Sequence, residues 1–475
     1  MAEILTPDIC VIGGGAAGLS VAAAAAAFGV PTVLIERGVM GGECLNTGCV
    51  PSKALLAAAR RAHIMRHSRA FGISAAGIDI DFARVHDHVH GVIASIAPTD
   101  SEERFEGLGV RVIKGHAKFK NRRTVVVGDT EVRARRFVIA TGSTPAVPDI
   151  PGLDTGPYLT NDTIFDLRER PDRLIIIGAG ATGLEMAQAF RRLGSEVVVL
   201  EAARPLADDD PEASAIVLAQ LEREGVAVRE GVKIARVAHA NRRVMVTIET
   251  ANGEETIEGA HVLVAAGRKP TTDGLDLEAA RIRYDRAGIR VNRRLKTRNR
   301  RVYAIGDVVA GQPRLTQAAN YHAGLVIRNA LFRLPVRVNI DSIPRVTYTE
   351  PELAQAGLTE AQARNRRIKF RVVRWPYHDN DRAQTERTTH GHIKIVTGNS
   401  GKILGVTIVG AQAGEMIATW ILAMSQGLNI RAMTGIVLPY PTLSEIGKRA
   451  AFDYFSPSLT RPFVRCIINW LRNFG

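Results

Sequence analysis

The chain carries the same short pattern twice, and this repeat constrains its fold more than any other feature. Residues 8–36 and 174–201 each read as an apolar strand, a glycine-rich turn, a helix and a second strand that ends in a glutamate. In both copies the first glycine precedes that glutamate by 23 residues, from Gly13 to Glu36 and from Gly178 to Glu201. This arrangement is typical of a dinucleotide-binding βαβ unit. The repeat therefore predicts an α/β fold with two Rossmann-like domains.

Each position of the glycine-rich turn has a physical reason. The first glycine permits the tight turn, the second lets the backbone approach a pyrophosphate, and the third allows close helix packing. The phosphates meet the helix N-terminus, and the terminal carboxylate accepts hydrogen bonds from a ribose diol. The residues that we predict to contact a dinucleotide are Gly13, Gly15, Ala17, Gly18 and Glu36 in the first copy and Gly178, Gly180, Gly183 and Glu201 in the second.

Two such sites in one chain suggest two cofactors that exchange hydride, or one cofactor that delivers it to another. Glu201 bears on which nicotinamide is used, because a carboxylate there favours a free 2′-hydroxyl and repels a 2′-phosphate. NADH is therefore favoured. Arg204 keeps NADPH open, since an arginine can accommodate that phosphate.

The chain has only four cysteines, and two of them, Cys44 and Cys49, lie five positions apart soon after the first glycine-rich turn. The other two are distant, Cys10 in an apolar run and Cys466 near the end. A disulfide scaffold typically uses many cysteines in a short chain. No second Cys or His pair at ligand spacing completes a zinc site, so we predict no metal site. A reversible thiol pair beside a bound cofactor fits better.

Composition narrows the remaining classes of protein. The 475 residues, with 46% hydrophobic and 23% charged content, predict a soluble chain of two to four domains. We expect no signal peptide at residues 1–8 and no membrane span, because no apolar run approaches about 20 residues. A cytoplasmic location follows as a prediction. The net charge of +14 is densest at residues 290–301, where no aromatics interleave, so we predict no nucleic-acid partner.

With the thiol pair between two such units, the chain resembles the class I flavoprotein disulfide reductases. This pyridine nucleotide-disulfide oxidoreductase family includes dihydrolipoamide dehydrogenase, glutathione reductase and mercuric reductase. The resemblance covers nearly the whole chain and implies separate FAD and NAD domains with a C-terminal α+β dimerisation domain. Its landmarks, in order, are residues 13–18 with Glu36, then 44–53, 140–142, 178–185, 266–270 and 304–307.

The resemblance assigns roles around FAD. Glu36 would bind the adenosine ribose and Ala117 would lie near the adenine, while Asp307 would bond the ribitol chain. Lys53 would sit by flavin N5 and pair with Glu185, because a cation stabilises a reduced flavin and a carboxylate satisfies a buried ammonium. The other residues that it implies around FAD are Gly42, Thr141, Gly142, Gly306, Leu315, Thr316, Gln317 and Ala318, and Gly267 would line the nicotinamide site.

The implied activity is electron transfer from NADH through FAD to a redox-active disulfide between Cys44 and Cys49. By the family pattern, Cys49 faces the flavin and Cys44 is the interchange thiol that meets the acceptor. A thiolate is the reactive form, so its pKa must be lowered from about 8.5 by positive charge or a helix end.

One departure from the family pattern lies near the C-terminus. Disulfide-reducing relatives carry a histidine that shuttles protons to the leaving thiol, followed by an acid; here Tyr440 takes the histidine's place and Glu445 keeps the acid. A phenol with a reference pKa of about 10 is a poor base at neutral pH, whereas imidazole near 6.5 suits the task. Mercuric reductases also have tyrosine at this position.

Three functional interpretations remain open. The first is a mercuric-reductase-like oxidoreductase that acts on a thiol, disulfide or thiol-bound metal acceptor. Residues 1–475 contain neither the vicinal cysteine pair with which mercuric reductases usually end nor the metal-carrying CxxC domain with which many of them begin. The second is a dihydrolipoyl dehydrogenase with another base, and the third is an FAD/NAD-binding redox sensor with little turnover.

The domain order implied by the resemblance is an FAD domain at residues 1–150 and 276–343, an NAD(P) domain at 151–275, and an interface domain at 344–475. In relatives the last domain builds a homodimer, in which Tyr440 and Glu445 of one subunit face Cys44 of the other. The tail at 461–475 mixes aromatics, aliphatics and arginines. It predicts either weak contact with an anionic membrane surface or packing on the protein itself.

Overall fold

The computed structural model describes residues 3–74, 77–251, 253–459 and 462–474, and of Ser342, Ser458 and Leu459 it describes the backbone alone. The chain divides into two compact units. The first comprises Met1–Arg204 and Gly225–Ile340, and the second comprises Pro205–Glu224 and Asp341–Gly475. The three-domain boundaries stay a prediction. The predicted α/β class is confirmed by the sheets described below.

The first glycine-rich turn lies at the end of the central strand of a five-stranded parallel sheet. Ile9 and Val11 point into a core shared with the helices Ala16–Ala27 and Thr316–Ala330, while Cys10 and Ile12 point into a core on the opposite face. A strand buried on both faces explains the unbroken apolar run. In spatial order the strands are Val302–Ala304, Arg136–Ile139, Ile9–Ile12, Thr32–Glu36 and Val110–Lys114.

The second glycine-rich turn lies in the same place in a four-stranded parallel sheet. Its helix, Ala181–Arg192, begins three residues after the first glycine of the turn, as Ala16–Ala27 does in the first copy. The strands in spatial order are Val226–Arg229, Glu196–Leu200, Arg173–Ile177 and His261–Val264, and an antiparallel sheet of Lys233–Ala240, Arg243–Thr250 and Gly253–Gly259 accompanies them.

The second compact unit is built on a five-stranded antiparallel sheet. Two of its strands are His392–Gly398 and Ile403–Gly410. The helices Ala413–Ser425 and Glu445–Asp453 accompany the sheet. The strand order is Arg345–Thr347, Glu352–Gly357, Ile403–Gly410, His392–Gly398 and Phe370–Pro376, and the core behind it includes Tyr377, Trp420 and Ile446.

The remaining helices include two that carry the cysteine pair. Within the described residues, no helix combines the length and apolar character that crossing a bilayer requires. The helices are Gly42–Asn46, Cys49–His67, Phe82–Ile96, Glu102–Gly107, Pro211–Arg223, Glu360–Asn365, Asp381–Thr385, Ile430–Gly435, Ser456–Leu459 and Pro462–Leu471. The remaining strands are Glu3–Leu5, Lys118–Asn121, Thr124–Val127, Thr130–Val132, Ser143–Pro145, Arg268–Pro270, Tyr284–Asp285 and Gly288–Ile289.

Candidate active site

The two terminal glutamates hold the same position in their respective repeats. Glu36 accepts a hydrogen bond from the backbone N–H of Gly14 at 2.5 Å and another from Gly38 at 2.6 Å. Glu201 accepts the equivalent bonds from Ala179 at 2.7 Å and from the residue two positions after it, Ala203, at 2.9 Å. Each carboxylate is therefore fixed against its glycine-rich turn, where a ribose diol would meet it.

Two glycines of the second turn have no room for a Cβ atom within the protein, whereas a third has room for one. Gly178 has φ +108°, and an added Cβ would lie 2.5 Å from the carbonyl oxygen of Ala265. At Gly183 an added Cβ would lie 2.0 Å from the carbonyl oxygen of Gly178. At Gly180 no described heavy atom comes within 4 Å of an added Cβ. The open space at Gly180 fits a phosphate that approaches the backbone.

This contrast gives a prediction from a matched pair of alanine substitutions. Gly183→Ala forces backbone apart and should lower the free energy of unfolding by at least about 2 kcal/mol. Gly180→Ala should change it by no more than about 0.5 kcal/mol, yet weaken NADH binding at least about tenfold. Urea unfolding and NADH fluorescence titration measure the two effects. Unchanged NADH affinity in Gly180→Ala would contradict the assignment of this turn.

A cleft with about 800 Å³ of empty space follows the first turn. Its lining includes the glycine-rich turn and Glu36, which are the positions where a dinucleotide meets its pyrophosphate and ribose. Gly306 lies against Ala17, so that both are close to this turn. The residues predicted for FAD that line the cleft are Gly13, Gly15, Glu36, Gly42, Ala117, Thr141 and Gly142. Because these predicted residues line a single cleft, the site fits FAD.

A second cleft, with about 450 Å³ of empty space, lies beside the second turn. Thr182, at the start of the helix Ala181–Arg192, lines it together with Met186, Gly267 and Arg268. An added Cβ on Gly267 would meet no described atom within 4 Å. Gly267 therefore lies at an open surface beside the turn, and its contact with the nicotinamide stays a prediction.

The cysteine pair sits at the junction of two helices and is present as free thiols. Cys44 lies inside the short helix Gly42–Asn46, and Cys49 is the first residue of the 19-residue helix Cys49–His67. The Sγ of Cys49 lies 3.3 Å from the Oγ1 of Thr316, which is itself the first residue of Thr316–Ala330. Two helix N-termini thus converge on Cys49, and their dipoles favour negative charge there.

The two thiols differ in acidity because Cys44 donates a hydrogen bond to Cys49. The pKa of Cys49 is lowered to about 6, first by a hydrogen bond from Cys44 and then by the Thr316 hydroxyl and the Lys53 ammonium. The pKa of Cys44 is raised, first because its thiol donates that hydrogen bond and then because of burial. At neutral pH the reduced pair therefore holds one thiolate, at Cys49, and one thiol, at Cys44.

Lys53 and Glu185 form the ion pair that the resemblance implies, with Nζ 2.8 Å from Oε2. Lys53 lies one turn after Cys49 on the same helix, and Glu185 lies on Ala181–Arg192. The Glu185 side chain is 5% exposed and the Lys53 side chain 38% exposed, so the carboxylate lies within the protein and the ammonium lies at its edge.

A polar network beside the cysteines was missed by the sequence reasoning. Arg268 Nη2 lies 2.5 Å from Glu43 Oε2, and Arg268 Nε lies 3.8 Å from Asp307 Oδ2. Ser143 accepts from Arg268 and donates to Asp307, both at 2.7 Å, and Asn161 donates to Glu43 at 3.1 Å. The position of Glu43 directly before Cys44 was the available signal. The network connects the cysteine helix with the residue expected to bond the FAD ribitol.

Glu43 gives a pH-dependent prediction. Burial raises the pKa of Glu43 from 4.5 to about 7, against the opposing effect of Arg268. A folded-state pKa above the unfolded value means that the stability contribution is complete below about pH 4.5 and is lost as pH rises through about 7. The melting temperature of the wild type should therefore fall relative to that of Glu43→Gln as the pH rises from about 4.5 to about 7. Above about pH 7 the two melting temperatures should change in parallel. A difference independent of pH would contradict this.

Tyr440 and Glu445 lie in the second compact unit. The Tyr440 hydroxyl donates to Asp381 Oδ2 at 2.8 Å, and its side chain is 69% exposed. This hydrogen bond raises the pKa of Tyr440. Glu445 is the first residue of the helix Glu445–Asp453. Asp381 lies 59 positions before Tyr440, and no local sequence signal connects the two.

The remaining predicted residues are placed as follows. Leu315 is the extended residue that precedes Thr316–Ala330, with Gln317 and buried Ala318 in its first turn. Cys466 is exposed, whereas burial in the sheet core raises the pKa of Cys10. Among the described residues, no group of three or more His, Cys, Asp or Glu side chains is arranged to hold a metal.

Comparison with known proteins establishes the class to which this site belongs. The family model described as "Pyridine nucleotide-disulphide oxidoreductase" matches residues 7–323, and the model of that family's dimerisation domain matches residues 343–451. The chain therefore belongs to the pyridine nucleotide-disulphide oxidoreductase family and is an NAD(P)H-dependent flavoprotein disulfide oxidoreductase. The redox-active cysteine pair is Cys44–Cys49, and the dimerisation domain supports a homodimer.

Mercuric reductases and dihydrolipoyl dehydrogenases are both among the similar curated proteins. The chain is 35% identical over 450 residues to a mercuric reductase of Bacillus cereus, covering 94% of this chain and 71% of the relative. It is 37% identical over 453 residues to a dihydrolipoyl dehydrogenase of Thermus scotoductus, covering 93% and 95%.

Two solved structures share the fold. The HOCl-induced flavoprotein disulfide reductase RclA of Escherichia coli superposes with a TM-score of 0.83 at 28% identity, covering 96% of this chain and 100% of that one. LpdA of Mycobacterium tuberculosis gives a TM-score of 0.86 at 25% identity, covering 95% and 99%.

Proposed function

We propose that this enzyme passes electrons from NADH, through FAD, to the Cys44–Cys49 disulfide and on to a thiol-bound metal or disulfide acceptor, in the manner of a mercuric reductase. Bound FAD supplies the two-electron relay between the nicotinamide and the disulfide. The observation that carries the proposal is the position of Cys49 at the N-termini of two helices, with its Sγ 3.3 Å from Thr316 Oγ1 and Lys53 one turn further along its own helix.

The residues around Cys49 stabilise the thiolate form of this cysteine, which faces the flavin in the family pattern. Reduction of the disulfide by two electrons with uptake of one proton yields the Cys49 thiolate and the Cys44 thiol. Lys53 stabilises negative charge on this side of the site, and Glu185 fixes the position of Lys53 through their 2.8 Å ion pair. Thr316 supplies a hydroxyl to the thiolate at 3.3 Å. Cys44 keeps the remaining proton through its hydrogen bond to Cys49.

Ligand exchange at a thiol-bound Hg(II) is compatible with this site. The Cys44–Hg bond forms as the bond to the released thiolate breaks, that thiolate takes up the proton that Cys44 loses, and the two electrons that then reduce Hg(II) to Hg(0) come from NADH. Reaction of dihydrolipoamide with the Cys44–Cys49 disulfide instead begins with the loss of a thiol proton, which imidazole at the position of Tyr440 would accept. The Tyr440 phenol cannot serve as that base near neutral pH, because the Asp381 bond raises its pKa further.

The position of Glu201 supports NADH as the preferred nicotinamide. Both carboxylate oxygens are held by backbone amides at the end of the strand Glu196–Leu200, as those of Glu36 are in the first repeat. A carboxylate fixed there accepts hydrogen bonds from the two ribose hydroxyls and repels a negatively charged 2′-phosphate.

Dihydrolipoyl dehydrogenase is the second candidate, and the 37% identity to the Thermus scotoductus enzyme of that name supports it. In the homodimer that we propose, Tyr440 and Glu445 of one subunit face Cys44 of the other. The two candidate functions therefore differ in whether the reaction at Cys44 needs a base at the position of Tyr440.

A single acceptor panel tests the proposal. Thiol-bound Hg(II), dihydrolipoamide (with NAD⁺), glutathione disulfide and a quinone are compared in steady-state assays, the oxidising acceptors with each nicotinamide. We expect the highest kcat/KM with NADH and thiol-bound Hg(II). A dihydrolipoamide rate that exceeds the Hg(II) rate would assign the second candidate instead. Slow turnover with every acceptor would indicate a redox sensor.

A further inference from the structure

The C-terminal helix Pro462–Leu471 and the turn Arg472–Phe474 that follows it form a segment with no buried side chain among its described residues. Three large aromatic side chains of this segment are mostly exposed to solvent: Phe463 is 74% exposed, Trp470 60% and Phe474 70%. The rings of Trp470 and Phe474 pack edge to face, with centroids 4.7 Å apart. Within one chain, the apolar side chains of this segment are therefore left largely uncovered among the residues that the structure describes.

The segment has two distinct faces. At 100° per residue, its apolar side chains occupy one side of the helix and its arginines and asparagines the other. The apolar face consists of Phe463, Val464, Ile467, Ile468, Trp470, Leu471 and Phe474, and the polar face includes Arg465, Asn469, Arg472 and Asn473. Aromatic and aliphatic residues opposite arginines are the pattern of a helix that lies in a membrane interface.

The charge around the segment indicates what covers the apolar face. The chain carries a net charge of +14, and no Asp or Glu follows Asp453 in its sequence. A second copy of this chain is therefore a poor electrostatic match for the basic helix. The dimerisation family model also ends at residue 451, before the helix begins. An anionic lipid surface complements both the arginines and the exposed aromatic rings.

We propose that the helix Pro462–Leu471 docks this enzyme on anionic membranes, lying in the interfacial plane with Phe463 and Trp470 among the acyl chains. Arg465 and Arg472 bind the phosphate groups of the lipids. The predicted tail began at Arg461 and ended at Gly475, and these two residues lie outside those that the structure describes. The proposal uses residues 462–474 alone and is independent of the acceptor.

Vesicle co-sedimentation of the FAD-loaded, full-length enzyme tests the proposal. We expect binding to phosphatidylglycerol-containing vesicles, weakened by salt, and little binding to pure phosphatidylcholine. Trp470→Ser and Phe463→Ser should each lower partitioning at least about tenfold. Arg465→Gln and Arg472→Gln should each lower it about fivefold on anionic vesicles only. Asn473→Ser, on the polar face, is the matched control and should bind like wild type.

Acceptor turnover and thermal unfolding of each variant serve as folding controls, and both should match wild type because the substituted side chains are exposed. Equal sedimentation of wild type and Phe463→Ser would overturn the proposal. So would a finding that Phe463→Ser changes the oligomeric state while vesicle binding stays the same, because the helix would then cover a second copy of the chain.

Discussion

A Cys49→Ser enzyme should turn over its acceptor at least about 10³-fold more slowly than wild type. The serine hydroxyl cannot form a disulfide with Cys44, so the two-electron store of the site is lost. The substitution also removes the thiolate that Thr316 and Lys53 stabilise. Steady-state oxidation of NADH in the presence of thiol-bound Hg(II) measures the loss.

Cys466→Ser is the matched control for this substitution. Cys466 is an exposed free thiol in a different part of the chain, so its removal should leave turnover within about twofold of wild type. The flavin content of both variants must equal that of wild type. Full acceptor turnover by flavin-loaded Cys49→Ser would show that electrons reach the acceptor without the cysteine pair.

Tyr440→His should raise dihydrolipoamide oxidation by about 10²-fold. The imidazole has a reference pKa of about 6.5, so it can accept a proton at neutral pH that the Tyr440 phenol cannot. A new ionisation near that value should also appear in the pH dependence of kcat/KM. Steady-state rates with dihydrolipoamide and NAD⁺ over a range of pH provide the measurement.

Tyr440→Phe distinguishes the imidazole from the mere loss of the phenol. It removes the hydroxyl and its bond to Asp381 without supplying a base. We expect no gain in dihydrolipoamide activity from this variant. Equal gains in Tyr440→Phe and Tyr440→His would contradict the argument that proton transfer limits that reaction.

The fold was predictable because its signals are local. The strand, glycine turn and helix of each repeat lie within 30 residues, and their spacing alone places Glu36 and Glu201 against the turns. The family landmarks then identified Lys53 and Glu185 as partners across 132 residues, which no periodicity could show.

The parts that could not be predicted depend on long-range packing. Arg268 contacts Glu43 and Asp307 only because three separate segments meet, and which member of the Lys53–Glu185 pair is buried depends on the same packing. The amphipathic pattern of residues 462–474 was readable. Whether its apolar face has a partner within the chain was not, because periodicity describes a face and not what covers it.

An anaerobic reductive titration followed by thiol labelling tests the central claim most directly. If the cysteine pair stores electrons alongside the flavin, the wild-type enzyme should accept about four electrons per subunit, because the flavin and the disulfide are each two-electron couples. NADH should then expose Cys44 and Cys49 to iodoacetamide, as identified by mass spectrometry. Uptake of about two electrons, with both cysteines unlabelled after reduction, would contradict the account.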